Sequence, residues 1–306
     1  MGAGSLRRRI RVIAYKAYLA GWYPFTSRVP IGTNVYEREW DALLLLDTCR
    51  VDALRAVADE YDFLGAVESM VSVGSTSSEW IANTFRERYR PEIAETAYLS
   101  ANAFSKRVIE DRDFPGDRLP VAWTTVDATA FGLLDNAWRY QPETPYKHML
   151  AEHLTDRAIA VGRDRDPGRL IVHYSQPHAP YIAAARAANR DLEPHERDPF
   201  EELRAGRVDR ETVWNAYLDN LRMALDSVAV LLRNLDAETV AISADHGEAF
   251  GSWGAYNHPA GSLHPHVKRV PWATTTATDE GGHEPKIDRP EPQRDVESHL
   301  DALGYR

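Results

Sequence analysis

The chain has 306 residues, with 36 Lys plus Arg against 46 Asp plus Glu, a formal charge of -10. That length is enough for one large core, and the acidic excess repels a phosphate backbone, which excludes a general nucleic-acid binder. The single cysteine, Cys49, excludes an intramolecular disulfide and fits a reducing cytoplasm, the placement expected here. No stretch approaches the ~20 apolar residues of a membrane span.

Taken in order, the chain opens on Arg7, Arg8, Arg9 and Arg11, with Ile10, Ile13, Ala14, Ala17 and Gly21 at helical spacing. The pattern predicts a basic amphipathic helix within an N-terminal lead-in, residues 1–39. It has two readings: peripheral contact with an anionic membrane or partner, or a helix packed on the domain with a solvated basic face, the second being preferred. Arg11 and Lys16 interrupt the apolar region and speak against a secretory signal.

Residues 40–48, WDALLLLDT, predict a first core strand ending in Asp47, followed by a helix over 51–60 that Asp52 caps or braces. A strand over 63–73 and a helix over 77–90 flank Gly74-Ser75-Thr76-Ser77-Ser78. At least one of those hydroxyls is expected to cap the helix. The same place, where helix amides face an anion, also suits a nucleophile. Strands are predicted over 94–101 and 121–126, with a surface loop over 111–118, and a helix within 142–165.

A strand over 169–174 runs into Ser175-Gln176-Pro177-His178-Ala179-Pro180-Tyr181. Prolines on either side of His178 pre-aim its imidazole, which makes it a site candidate; His173, inside the strand, reads as a core residue. Residues 183–207 read as an insertion near the site. Residues 209–234 carry Trp214, Tyr217, Leu218, Leu221, Leu225, Val228 and Leu232 at helical spacing, a core-facing stripe.

The apolar run ending at Ile242 stops at Asp245-His246-Gly247-Glu248. A carboxylate followed at once by an imidazole, with a glycine for the turn, suits a divalent metal at the carboxyl edge of an α/β sheet. Among His258, His264 and His266, one metal or substrate ligand is expected, with the others exposed. Residues 269–272 begin a closing strand, 274–295 read as linker, and 296–303 as a terminal helix.

LLLLDTCRVDAL, PHAPY and SADHGEAFG, in this order and with Val270-Pro271 and Leu303-Gly304-Tyr305 beyond them, resemble the sulfatase-like branch of the alkaline phosphatase superfamily. The resemblance implies a three-layer α/β sandwich, a mostly parallel central sheet flanked by helices, with residues 40–276 as catalytic domain and 277–306 as linker and helix. It implies a metal-dependent hydrolase of phosphate or sulfate esters that uses a metal-bound hydroxyl and a covalent intermediate. Carried over by position, Asp47, Thr76, Asp245 and His246 form one metal site, with Ser75 and Ser77 as alternatives to Thr76. His178 and His258 then serve a second metal or the oxygens of the transferred group, with Ser75, His178 and His264 touching substrate.

Zinc or manganese is the expected ion, one or two per chain, with calcium and magnesium as alternatives. The stretch Thr76-Ser77-Ser78-Glu79-Trp80 lacks the Pro and Arg of the Cys/Ser-x-Pro-x-Arg motif, which speaks against a formylglycine sulfatase. Ser252-Trp253-Gly254 stands where the family often has a histidine. Two other expectations follow: a transferase that moves a phosphate-linked head group onto a glycan or lipid, and a non-catalytic member that binds a sugar or anion.

Overall fold

The five residues Ala42–Leu46 are all buried, so the strand they form must be covered on both faces. The structure, a computed structural model, describes residues 3–142, 144–146, 149–286 and 300. Its strands are β1 (Ala42–Leu46), β2 (Glu68–Val71), β3 (Thr96–Ser100), β4 (Leu133–Asp135), β5 (Arg169–Tyr174), β6 (Ala237–Ser243), β7 (Ala249–Phe250), β8 (Tyr256–Asn257) and β9 (Arg269–Ala277). Its α-helices are α1 (Ala3–Thr26), α2 (Val51–Val57), α3 (Ser77–Thr84), α4 (Arg90–Ala94), α5 (Ala151–Arg165), α6 (Ala183–Ala187), α7 (Pro194–Arg197), α8 (Pro199–Arg204), α9 (Arg210–Leu232) and α10 (Pro265–Lys268).

Seven strands form one sheet in the order β2-β9-β6-β1-β5-β3-β4. β6, β1, β5, β3 and β4 run parallel, and β9 lies antiparallel between β2 and β6. The expected α/β class, with a mostly parallel sheet flanked by helices, is therefore the observed one. The carboxyl ends of β1, β3, β5 and β6 share one edge, where an open α/β sheet collects its functional groups.

Several boundaries differ from the sequence reading, each for a local reason. Turn hydrogen bonds from Tyr61 N to Ala58 O and Leu64 N to Tyr61 O occupy the start of the predicted 63–73 strand, and only Glu68–Val71 pair with β9. The helix predicted over 77–90 stops at Thr84, because the backbone around Phe85 leaves it to bond residues 124–126. Those residues were expected to be a sheet strand; they make only a bridge between Arg86 and Thr125, and β4 takes the sheet edge instead.

α5 begins at Ala151, beyond Pro142 and Pro145. Residues 183–204 hold three short helices, two of them opened by Pro194 and Pro199 at the first helical position, which proline suits. Thr274 to Ala277, read as linker, continue β9 against β6. The predicted helix over 296–303 lies outside the described residues except for Leu300.

α9 does more than cover the sheet. Buried Tyr217 accepts a hydrogen bond from Arg50 N at 3.0 Å and donates one to Thr48 O at 2.9 Å. It thereby clamps the turn after Asp47, where Thr48 holds a φ of 66°, unfavourable for a β-branched residue. Asn220, one turn along α9, accepts from Ile182 N at 2.8 Å and Ala183 N at 3.0 Å and donates to Pro180 O at 3.1 Å. One helix thus fixes the turns carrying Asp47 and His178. Tyr217→Phe is expected to leave two buried backbone groups unpaired and to cost about 1–3 kcal/mol, read as a lower urea midpoint with unchanged slope.

Candidate metal centre

Register builds the centre. Leu45 of β1 pairs with His173 of β5 and with Ser243 of β6, so Asp47 and Asp245, each two residues further on, leave adjacent strands side by side. Both carboxylates are buried. His246 Nε2 lies 3.4 Å from Asp245 Oδ2 and 3.7 Å from Asp47 Oδ1, and His173 Nε2 lies 3.5 Å from the same Asp245 oxygen. Ligand atoms of Asp47, His173 and Asp245 all fall within 4.8 Å of one another. Asp47 Oδ1, Asp245 Oδ2 and His173 Nε2 are buried without a hydrogen bond of ordinary geometry. Orphaned carboxylate and imidazole lone pairs in so small a volume are the donor set a divalent cation takes, and these residues fit one.

The electrostatics agree. Burial and the neighbouring Asp245 raise the Asp47 carboxyl well above its usual range. Burial also opposes ionisation of Asp245, but His246 and His173 outweigh it and hold that carboxyl low. The two carboxylates therefore behave as a pair that retains one proton unless a cation takes its place. Burial lowers His246, and lowers His178 and His258 to about 4. All three imidazoles are neutral at pH 7, the state that ligates metal or donates a single N–H.

Of the three hydroxyls, the structure brings Ser77 to the centre. Ser77, the first residue of α3, is buried, and its Oγ lies 3.4 Å from His246 Nε2 and accepts from Asn102 Nδ2 at 2.9 Å. Thr76, the carried-over choice, is the N-cap: its Oγ1 accepts from Glu79 N at 3.2 Å and meets Ser78 Oγ at 3.1 Å. A cap hydroxyl must turn back along its own helix, which takes it away from the carboxylates. Ser75 Oγ donates to Glu79 Oε2 at 2.7 Å and accepts from Ser262 N at 3.0 Å, tying α3 to the 259–262 loop.

A second group adjoins the first. The His258 ring stands 4.4 Å from that of His246 and 5.1 Å from that of His178, centre to centre. Buried Glu248 sits 3.1 Å from His258 Nδ1, and burial pushes its carboxyl up to about 7 against the lowering influence of His178 and His246. The carboxylate at Nδ1 orients the ring and leaves Nε2 as its outward nitrogen. His264 stands apart: its ring meets Ser252 Oγ at 3.1 Å and accepts from His266 N at 3.1 Å. His266 Nδ1 bonds Arg50, and His264 and His266 are both half-buried, not exposed as expected.

The turn at Gly247 has a different cause from the one anticipated. Its φ is not positive; an added Cβ would lie 2.1 Å from His266 O, so close backbone approach requires glycine. Arg50 closes the edge by donating to Asp52 Oδ1 at 2.8 Å and Glu248 O at 3.2 Å, which makes Asp52 a brace. Sequence reasoning missed Asn102, whose Nδ2 bridges Asp47 Oδ2 and Ser77 Oγ, both at 2.9 Å. Its only signal is a polar residue just past a strand end. His173, read as core, faces the centre with its other nitrogen on Tyr98 OH at 3.0 Å.

No family model and no curated protein matches the chain. Solved structures similar to it include the soluble domain of lipooligosaccharide phosphoethanolamine transferase A from Neisseria meningitidis, at 16% identity and a TM-score of 0.46, over 76% of this chain and 75% of that one. A putative sulfatase from Bacteroides thetaiotaomicron is 13% identical with a TM-score of 0.45, over 86% and 70%. The C-terminal periplasmic domain of phosphoethanolamine transferase EptC from Campylobacter jejuni is 14% identical with a TM-score of 0.44, over 76% and 77%. These are the kinds of protein the sequence motifs resemble; likeness at this level leaves the chemistry to the chain's own residues. The cytoplasmic placement does not stand, because the lone cysteine on which it rested is equally at home outside the cytoplasm; the similar Campylobacter jejuni domain is a periplasmic one. Among the described residues, no helix is long and apolar enough to cross a membrane.

Proposed function

We propose that the chain is a metal-dependent phosphate-ester hydrolase in which Ser77 is the nucleophile. The observation that carries this reading is the buried Ser77 hydroxyl, held by Asn102 at the start of α3 and set against His246 and the Asp47–Asp245 pair. The catalytic unit is residues 40–276. Asp47, Ser77, Asp245 and His246 are the proposed ligands, with His173 beside Asp245 as a further donor, and a histidine-bearing donor set favours zinc over manganese. A bound divalent cation lowers the hydroxyl pKa and offsets the charge of the ester.

The chain's own residues supply the rest. Asn102 holds the Ser77 oxygen in place, and the amides of α3 face the phosphate oxygens. Neutral His178, its Nδ1–H turned to Ala179 O, and neutral His258, its Nδ1–H turned to Glu248, offer Nε2 as an acceptor from the other side, where it takes a hydrogen bond from the attacking water or holds a second ion. The Ser77 hydroxyl releases its proton to water, its oxygen bonds to phosphorus as the ester P–O bond breaks, and the departing alkoxide takes a proton back from water. Water then attacks the phosphoserine and restores the hydroxyl. Transfer to an alcohol on a glycan or lipid is the second reading. It is favoured by the seating of α1 on residues 260 and 261, next to His258.

Ser77→Ala is expected to lower turnover of an aryl phosphate by at least about a thousandfold. Thr76→Ala is expected to keep activity within about tenfold and to cost ~1 kcal/mol of stability as a lost cap; the reverse pattern would restore Thr76 as nucleophile. Metal analysis after loading with zinc, manganese, magnesium and calcium is expected to find bound ion in the wild type and its loss in Asp245→Ala. A wild type that stays metal-free would leave a non-catalytic binder. Turnover of aryl phosphate and phosphodiester above aryl sulfate at equal metal loading is expected, and a preference for sulfate would overturn the phosphate assignment.

A further inference from the structure

The sequence singles out a basic amphipathic helix that the proposed chemistry does not use, and the structure shows how it is seated. The hydroxyl of Tyr15 donates to Ala260 O at 2.8 Å and that of Tyr18 to Gly261 O at 2.6 Å. An added Cβ at Gly261 would lie 3.0 Å from Leu19, Trp22 and Tyr18. Residues 15, 18, 19 and 22 recur at i, i+3, i+4 and i+7, so they form the docked stripe of α1. This stripe grips the loop that carries His258. Tyr23, further along α1, bonds the buried Glu79, and Glu79 also accepts from Gly261 N at 2.7 Å.

The opposite stripe has no cover among the described residues. Ile10 is 56% and Ile13 67% exposed, and Ala14 and Ala17 are exposed with them at the same helical spacing. Exposed Arg9, Arg11 and Lys16 flank this stripe, on a chain whose formal charge is -10. The loop under the docked stripe also exposes Leu263 at 59%, and Trp253, in the separate turn over residues 252–254 beside His264, is 82% exposed. Aliphatic residues bordered by Arg and Lys match an anionic lipid interface: the apolar edge enters the acyl boundary and the cations meet the headgroups.

We infer that α1 is an interfacial helix that seats the chain on an anionic bilayer beside the loop bearing His258. A basic face that merely dissolves in water does not need Ile10 and Ile13 uncovered on it. The consequence is positional: an ester anchored in that bilayer is presented next to the site.

The test is co-sedimentation of the full chain with phosphatidylcholine vesicles with and without phosphatidylglycerol, at low and high salt. Binding to the anionic vesicles only, weakening with salt, is expected. Arg9→Gln with Lys16→Gln is expected to weaken it about twenty-five-fold, each basic residue near such a surface contributing about fivefold. Ile13→Asp, at an exposed position that leaves the fold intact, is expected to abolish it.

Failure to bind anionic vesicles would overturn the inference, as would binding indifferent to Ile13→Asp. Self-association of the free chain that Ile13→Asp abolishes, without vesicle binding, would replace the bilayer with a second copy. Asp245→Ala is expected to bind vesicles like the wild type, so failure of the proposed chemistry leaves this result untouched.

Discussion

Two carboxylates buried side by side are the constraint on which the structure turns. Asp47 and Asp245 leave adjacent parallel strands in matched register, and both are buried. Like charges this close in a poorly solvated site retain a proton or recruit a cation. Everything packed around them serves one of those outcomes: His246 and His173 approach Asp245, and Asn102 satisfies the remaining oxygen of Asp47. A site that held only a shared proton would have no use for the buried Ser77 hydroxyl pressed against the same imidazole.

Such an arrangement does not hold itself. The turn after Asp47 contains a threonine in a left-handed conformation, and the turn bearing His178 lies between two prolines. Tyr217 and Asn220, one helical turn apart, reach these two turns from α9. Arg50 reaches the third, between Glu248 O and His266. Its guanidinium also lies over the rings of Trp214 and Phe250, which lets a charged group be buried at low cost. The geometry of the centre is set by side chains that contribute nothing to its chemistry, as expected where positioning tolerances are tight.

The hydroxyl loop shows how little separates two roles. Thr76 and Ser77 are neighbours with nearly the same functional group, yet one caps α3 and the other faces the carboxylates. The difference is the change from extended to helical backbone between the N-cap and the first helical residue, which swings successive side chains apart. A position-by-position reading of a motif cannot resolve one residue; a hydrogen-bond partner can.

The sequence by itself determined the core strands β1, β5 and β6 and the order of the motifs that follow them. Runs such as LLLL before Asp47 and VAIS before Asp245 are apolar because parallel strands are covered on both faces, and they stop where the chain reaches the edge. That logic also exposed His246, whereas His178 stood out by its flanking prolines and His258 by its place in a histidine-rich loop and by the family resemblance. Only the tertiary structure decided which hydroxyl enters, that His173 inside a strand turns toward Asp245, and that Asn102 and Glu248 orient their neighbours. These depend on register across strands distant in sequence and on which helix lies above them. No local period or spacing encodes such long-range placements.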